Sequence, residues 1–423
     1  MILMCLNNRF LMFKIAFKDS SKCMDCGACD LIVACSAGRV GNQRDCIGCG
    51  ACSLACPYEA ISMIDMERKK YISIIVNGEK FSVPEKITVL KALEFIGFKI
   101  SSFPGEGDIF APCGVGGCWS CATMINGELK PSCITPIKND MIIETRLPEN
   151  YIPKRLIHGW MGHTVGGVGT PWWLKGRRYI EAAAFACGCN LRCPQCQNWT
   201  TTYCGTETPL TPREAALLMT DTRRIYNVDR MAISGGECTL NRPWLIQYIK
   251  ELKKLNRDEK ARFHVDTNTT ILTPDYIDDL VEAGMTDIGP DLKGLKTETF
   301  MKITGINNKD LAEKYLKTSW NAFKYLIDKY FGKIFIGVGI PYNKDLITLD
   351  EIGKIGDEIY KICGEVQVCV LDYRPEFRNR SISRPKFNEM IKVWEILRAC
   401  GLKTVICQTE LGHIGPETSK LKI

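Results

Sequence analysis

The sequence predicts an α/β protein that ends in a barrel-like domain, with two smaller cysteine-rich domains before it. From residue 179 onward, strand-like runs alternate with helical stretches, which is typical of a parallel sheet with helical crossovers. Before residue 149, cysteines recur in short loops next to hairpin and helix patterns. We expect domains at 1–68, 69–148 and 179–423, with a Gly/Trp-rich linker at 149–178.

The composition and charge of the chain argue against some classes of function. The chain has 423 residues, 45% hydrophobic and 24% charged, which is ordinary for a soluble globular protein. Its net charge of +7 is not gathered into long basic runs, so we expect no nucleic-acid partner. The apolar N-terminus, MILMCLNNRFLMFKIAF, is too short and polar to span a membrane. It lacks a small-residue cleavage site, and we interpret it as a leading β-strand.

The cysteine usage points to metal. The chain holds 23 cysteines but only 4 histidines, and the cysteines cluster in CxxC spacings. Zinc or haem cannot account for many of them with so few histidines, so iron–sulfur clusters remain. Such clusters suit a reducing compartment, and we predict an oxygen-poor cytoplasm.

The first domain carries two cysteine repeats, CMDCGACDLIVAC at 23–35 and CIGCGACSLACP at 46–57. In such pairs, three thiolates of one repeat bind one cluster and the fourth binds the other cluster. We therefore assign one [4Fe–4S] cluster to Cys23, Cys26, Cys29 and Cys56, and a second to Cys46, Cys49, Cys52 and Cys35. The segment resembles bacterial two-cluster ferredoxins, with a small insertion before Cys35.

The second domain begins with YISIIVNGEKFSV, whose alternation around Asn77-Gly78 predicts a hairpin. ITVLKALEFIG then has helical spacing. The run CGVGGCWSCATMINGELKPSC follows, with its four cysteines at Cys113, Cys118, Cys121 and Cys133. This pattern resembles the plant-type [2Fe–2S] β-grasp domain, with the short last spacing of succinate dehydrogenase iron–sulfur subunits. A zinc ribbon would normally have two CxxC pairs, and only one is present.

The predicted barrel strands end in unusual polar clusters. Seven strand-like runs cover 179–186, 230–234, 262–266, 286–292, 333–340, 366–372 and 403–407. After the first six come CGCNLRCPQC, GGE, DTN, DLK, IPYN and DYRP. Because active sites of such barrels gather at the carboxyl ends of the strands, we expect these motifs to lie together.

The spacing Cys189-x3-Cys193-x2-Cys196, followed by Gly235-Gly236-Glu237, resembles the radical S-adenosylmethionine (SAM) superfamily. Three thiolates leave one iron of a [4Fe–4S] cluster open. By this resemblance SAM binds that iron, and one electron cleaves its S–C5′ bond to a 5′-deoxyadenosyl radical. The resemblance implies a partial (β/α)6 barrel.

A narrower resemblance is to glycyl-radical enzyme activating enzymes of the pyruvate formate-lyase activase type, carried by CNLRCPQCQNW, DTN and DLK. It implies that the GGE edge holds the amino group of SAM, with Glu237 as acceptor. Residues Asp266, Asn268, Asp291 and Lys293 would bind SAM and the substrate peptide. A surface ion-pair network is the alternative for Asp266, Asp291 and Lys293.

Two positions depart from the activase pattern. Thr269 follows DTN where glycine is usual, and Arg374 in DYRP stands where a histidine is expected. We hypothesise that Arg374 neutralises the carboxylates in place of a monovalent cation. Of the four cysteines between 187 and 196, Cys187 lies outside the x3/x2 spacing, and we expect it to pack at the end of the first strand.

The sequence therefore predicts an oxidoreductase with three [4Fe–4S] clusters, one [2Fe–2S] cluster and SAM. Its predicted function is activation of a glycyl-radical enzyme by hydrogen abstraction, with electrons passed from an external low-potential donor through its own ferredoxin domains. Radical modification of another protein or a cofactor precursor is one alternative. A non-enzymatic electron-transfer subunit is the other, although a relay needs no SAM pocket.

Overall fold

The computed structural model describes residues 12–174 and 178–417. The chain divides into two compact units. The first runs to Ile152 and includes Tyr203–Thr206, while the second comprises Pro153–Thr202 and the chain from Glu207 onward. Residues 1–11 of the predicted leading strand lie outside the described residues. In the described part of the chain, no helix is both long and apolar enough to cross a membrane.

The first cysteine-rich domain is a two-stranded sheet with two short helices. Its elements are β1 (Phe13–Lys18), α1 (Ala28–Ile32), α2 (Ala51–Ala55) and β2 (Ile61–Met66). β1 pairs with β2 in antiparallel fashion. Gly27 and Gly50 precede the two helices with φ of 72° and 78°, a left-handed conformation that glycine adopts without steric cost. Both CGAC motifs therefore turn directly from a cysteine loop into a helix.

The second cysteine-rich domain is a five-stranded sheet with one main helix. Its elements are β3 (Tyr71–Val76), β4 (Glu79–Pro84), α3 (Val89–Phe95), β5 (Ile100–Ser101), β6 (Ile109–Phe110), β7 (Ala122–Ile125), β8 (Glu128–Pro131) and β9 (Met141–Glu144). The sheet order is β4-β3-β9-β7-β8. The hairpin predicted around Asn77-Gly78 is confirmed. Thr88 caps α3 by accepting a hydrogen bond from Lys91 N at 3.0 Å.

The second unit contains the predicted alternation of strands and helices. Its strands are β10 (Arg155–His163), β11 (Glu181–Ala186), β12 (Pro209–Leu210), β13 (Arg230–Gly235), β14 (Arg262–Thr267), β15 (Asp287–Pro290), β16 (Phe335–Tyr342), β17 (Gln367–Asp372), β18 (Thr404–Thr409) and β19 (Gly412–Ile414). Its helices are α4 (Trp199–Thr202), α5 (Pro212–Tyr226), α6 (Arg242–Leu255), α7 (Pro274–Ala283), α8 (Thr297–Thr304), α9 (Lys309–Tyr330), α10 (Leu349–Cys363) and α11 (Phe387–Ala399).

These ten strands form one open sheet in the order β12-β10-β11-β13-β14-β15-β16-β17-β18-β19. From β11 to β18 all neighbours are parallel, so the carboxyl ends of seven strands meet at one edge. The α/β class and the open partial barrel are confirmed, and β18 continues the sheet beyond six repeats. Helix α5 begins as its sequence dictates, with Pro212 in the first turn and a Thr211–Glu214 capping box.

The prediction that 149–178 is a linker is wrong for Arg155–His163. These residues form β10, which pairs with β11 in antiparallel fashion and adds a strand to the sheet. These residues form a strand of the sheet and not a linker because they bury their side chains: Arg155, Leu156 and Ile157 are 0–3% exposed. The Arg155 guanidinium donates to the carbonyl oxygens of Cys187 and Cys238, which replaces its lost hydration.

Candidate functional site

The cysteine loops of the first domain bring their thiols together in two sets. Cys23, Cys26, Cys29 and Cys56 line one cavity. Burial and, to a lesser extent, the nearby charges of Cys49, Cys46 and Cys35 raise the pKa of Cys52 to about 12. Cys35 therefore lies close to the second set. This crossed arrangement fits two [4Fe–4S] clusters that each take one thiolate from the other repeat.

The four cysteines of the second domain are all buried and adjacent. They are Cys113, Cys118, Cys121 and Cys133, each at most 5% exposed. Hydrogen bonds from Cys118 and Cys133 hold the pKa of Cys113 well below its usual value. Four buried thiols that lie this close to one another fit a [2Fe–2S] cluster.

In the second unit, a cavity of about 250 Å³ opens at the carboxyl ends of the strands. Of the predicted site residues its lining includes Cys189, Cys193, Cys196, Gly235, Gly236, Glu237, Asp266, Asn268, Asp291 and Lys293. The strand-end argument therefore placed these side chains together correctly. What each residue binds stays a prediction.

The three thiols suit a cluster with one open iron. Cys189 Sγ accepts from Leu191 N at 3.4 Å and lies 3.7 Å from Asn268 Nδ2. Cys196 Sγ lies 3.5 Å from Thr202 Oγ1. Hydrogen bonds to sulfur stabilise cluster thiolates and tune their potential. Burial raises the pKa of Cys193 to about 12, so this thiol would lose its proton at neutral pH only if a positive charge, such as that of a bound metal, lay next to it.

The glycines of GGE allow two strand ends to meet. Gly236 N donates to Ala186 O and Glu237 N donates to Gly188 O, both at 2.8 Å. A Cβ at Gly235 would overlap the backbone of Ala186. The end of β13 is thereby held against the start of the cysteine loop.

Glu237 acts as a clamp in this structure. It is 1% exposed, and its Oε1 accepts from Thr239 N, Thr239 Oγ1 and Thr267 Oγ1 at 2.6–3.0 Å. Its Oε2 accepts from Asn268 N at 2.7 Å. The carboxylate thus ties the ends of β13 and β14 together, and its predicted role as acceptor for the SAM amino group stays a prediction.

A buried cation lies on the other side of the cavity. Lys293 Nζ is 3.0 Å from Asp291 Oδ2 and donates to Tyr373 OH at 3.1 Å. Burial alone would lower the pKa of Lys293, but Asp291 and Tyr373 outweigh it and raise the pKa well above its usual value. Asp291 Oδ1 is buried and has no hydrogen-bond partner among the described residues. The lysine is therefore charged, and one carboxylate oxygen is left for a ligand.

Asp266 has a partner that the sequence reasoning missed. His264 Nε2 lies 2.8 Å from Asp266 Oδ1, and His264 is 1% exposed. Burial opposes ionisation of Asp266, yet the adjacent ring holds its pKa below the usual value. The signal was available, since residues two apart on a strand point to the same face.

Other predicted positions lie elsewhere. Arg374 is not among the residues that line the cavity; from the DYRP motif, Tyr373 lines it instead. The hypothesis that Arg374 takes the place of a monovalent cation therefore stays a prediction, with no contact to support it. Cys187 is fully buried, donates its N–H to Leu156 O, and does not line the cavity. Thr269 takes φ of 58°, the left-handed conformation in which glycine is usual.

Comparison with protein-family models identifies three domains. The Radical SAM superfamily model matches residues 184–352, the 4Fe-4S binding domain model matches 40–62, and the 2Fe-2S iron-sulfur cluster binding domain model matches 69–148. The chain therefore combines a radical SAM domain with 4Fe–4S and 2Fe–2S domains, as predicted. The activase subgroup has no such support.

Individual relatives share only parts of the chain. An uncharacterised iron–sulfur protein of Methanocaldococcus jannaschii is 44% identical over 75 residues, covering 16% of this chain and 14% of the relative. A second uncharacterised iron–sulfur protein, from Methanococcus maripaludis, is 43% identical over 67 residues, covering 16% and 13%. The chain thus spans less than a sixth of the length of either relative. SuiB of Streptococcus suis bound to S-adenosylmethionine aligns with a TM-score of 0.37 and 16% identity, covering 50% of this chain and 44% of SuiB.

Proposed function

We propose that this protein reductively cleaves SAM and uses the resulting radical to abstract hydrogen from a protein substrate. The observation that carries this proposal is the cavity in which Cys189, Cys193 and Cys196 face the GGE edge, Asp266, Asp291 and Lys293. A three-thiol cluster site next to fixed charges of both signs is what a zwitterionic cofactor needs. An electron relay needs only the thiols.

Cys189, Cys193 and Cys196 would hold a [4Fe–4S] cluster, which would supply the one electron needed for cleavage of the S–C5′ bond of bound SAM. The chain's own residues position the cofactor. Lys293 provides a cation for a carboxylate, and Asp266, kept ionised by His264, provides an anion for an amino or hydroxyl group. Glu237 and Lys293 are 1% and 6% exposed, and burial strengthens the electrostatic interactions of such groups.

Electron supply supports the same function. The chain carries 4Fe–4S and 2Fe–2S domains ahead of the radical SAM domain, and clusters of these types reach the low potentials that SAM cleavage requires. We propose that they pass electrons from an external low-potential donor, under oxygen-poor conditions. The narrower proposal is that the substrate is a glycyl-radical enzyme, as the resemblance of CNLRCPQCQNW, DTN and DLK to activases suggests.

The test is anaerobic reconstitution of the full chain with iron and sulfide, followed by addition of SAM and dithionite. We expect 5′-deoxyadenosine and methionine in equal amounts. Cys189→Ala should abolish both products but keep the visible absorption of the other clusters. Cys187→Ala is the matched control and should cleave SAM normally.

The outcomes separate the proposals. No 5′-deoxyadenosine from protein with a full iron content would remove the enzyme function and favour a non-enzymatic electron-transfer role. Cleavage followed by a glycyl doublet in the EPR spectrum of an added glycyl-radical enzyme would support the narrower proposal. Cleavage without that doublet in any such partner would instead favour radical modification of another substrate.

A further inference from the structure

The function proposed above assigns no role to two strand-end motifs, IPYN and DYRP. They lie at the carboxyl ends of β16 and β17, which are parallel neighbours in the sheet. Asn343, the last residue of IPYN, is fully buried. Its Nδ2 donates to the carbonyl oxygens of Tyr373 and Ser383, both at 2.8 Å. Tyr373 N in turn donates to Tyr342 O at 2.9 Å. The end of β16 therefore fixes the backbone of Tyr373 in DYRP.

The side chain of Tyr373 is also held in place. Its ring packs against a small apolar cluster that consists of Ile303, Leu346 and Ile382. A side chain whose backbone and ring are both fixed has little rotamer freedom left. Its hydroxyl lies at Lys293, whose Nζ donates to it at 3.1 Å, and the same Nζ is 5.8 Å from the centre of the ring. Packing at Tyr373 thus sets the place of a hydrogen-bond acceptor for Lys293.

The hydroxyl restricts a side chain that is flexible by itself. A lysine ammonium sits on a four-carbon stem and carries three N–H donors. In Lys293, two of these donors are directed at Asp291 Oδ2, 3.0 Å away, and at Tyr373 OH. With Asp291 alone, the ammonium could swing about a single oxygen. With two acceptors its tetrahedral geometry fixes the direction of the third donor, in the cavity of the cluster thiols that Lys293 and Tyr373 both line.

We propose that Tyr373 is a positioning residue that, anchored by Asn343, aims the Lys293 ammonium at the carboxylate of SAM. Tyr373 acts through Lys293, and it neither gains nor loses a proton in this role. The proposal rests on the function proposed above, since it assigns a further residue to the same site.

The first test is a double-mutant cycle on SAM binding. Tyr373→Phe keeps the ring and removes the hydroxyl. We expect it to raise the Kd of ¹⁴C-SAM at least threefold in anaerobic equilibrium dialysis with the reconstituted full chain. In the Lys293→Met background the same substitution should have no further effect, because the hydroxyl then has no ammonium to hold. A residue that only shaped the cavity would cause the same loss in both backgrounds.

The chain offers a matched control with the same three residue types. Tyr325 OH accepts from Lys329 Nζ at 2.8 Å, and both side chains contact Asp278. This group joins α7 to α9, and none of its members lines the cavity. Tyr325→Phe should therefore leave the Kd of SAM unchanged.

The second test does not depend on SAM. Lys293 is acetylated with N-acetoxysuccinimide in the reconstituted full chain without SAM, and its modification rate is measured by mass spectrometry. Acylation needs a free amine, and the hydroxyl supplies one of the two hydrogen bonds that hold the ammonium. We expect Lys293 to react at least threefold faster in Tyr373→Phe and at the unchanged rate in Tyr325→Phe.

Four results would overturn the positioning role: an unchanged Kd in Tyr373→Phe, an equal rise of Kd in both backgrounds, an unchanged acetylation rate of Lys293, or loss of iron from Tyr373→Phe. An unmodified chain that binds no SAM would count against the proposed function. The acetylation rate would then still decide whether the hydroxyl holds Lys293.

Discussion

Replacing Glu237 with glutamine tests whether this residue mainly ties the ends of β13 and β14 together or mainly accepts a hydrogen bond from the amino group of SAM. The substitution keeps the shape but turns one oxygen acceptor into an NH2 donor. In the less damaging orientation the NH2 replaces Oε2, which leaves the buried Asn268 N–H without its 2.7 Å acceptor. An unsatisfied buried N–H costs about 1–3 kcal/mol, and the three bonds to the other oxygen lose the contribution of charge. Burial raises the pKa of Glu237, so removing the charge returns part of this loss.

We therefore expect Glu237→Gln to destabilise the second unit by about 2 kcal/mol, which lowers Tm by roughly 4–8 °C for a domain of this size. Anaerobic differential scanning calorimetry measures the shift, and equilibrium dialysis with ¹⁴C-SAM measures binding. Glu298→Gln, at an exposed position on α8, is the control and should change neither. An unchanged Tm with a SAM Kd raised tenfold or more would refute the clamp and support the acceptor role.

Three further predictions concern the cluster cysteines of the first domain, Lys293 and Thr269. The double variant Cys35→Ala/Cys46→Ala should lower the iron content from about 14 to about 10 per chain, since the crossed assignment places both residues on the same four-iron cluster; a loss of eight would contradict that assignment. Lys293→Met should raise the SAM Kd at least tenfold in dialysis, whereas the exposed Lys296→Met should not. Thr269→Gly should raise Tm slightly, because it relieves about 1 kcal/mol of strain in the left-handed backbone conformation. It also removes a buried hydroxyl that has no hydrogen-bond partner among the described residues. A lower Tm would show that the lost packing of the threonine side chain outweighs the strain.

The barrel was predictable because its signals are local and repeated. Each parallel strand is a short apolar run, each crossover has helical spacing, and helix starts such as Thr211-Pro212 carry their own caps. Once the strands are assigned, their carboxyl ends must share an edge. The motifs at 189–196, 235–237, 266–268 and 291–293 could therefore be placed in one cavity without any coordinates.

Residues 164–174 and β10 were not predictable in the same way. β10 contains Arg155, His158 and two glycines, so apolar and polar residues do not alternate along it. Its arginine is buried through hydrogen bonds to the carbonyl oxygens of Cys187 and Cys238, which are distant in sequence. Residues 164–174 show neither the helical nor the strand periodicity of apolar residues. Their glycines are explained only by atoms that lie about 100 residues away in sequence, such as Asp266 and Gly289. Contacts of this kind leave no mark within a sequence window.

The distribution of charge suits the cavity of the cluster thiols to a zwitterionic ligand. Asp266, Asp291 and Lys293 all face the cavity of the cluster thiols, where burial makes each charge interact strongly with a charged ligand. A zwitterionic cofactor would find partners for both of its charges in this cavity.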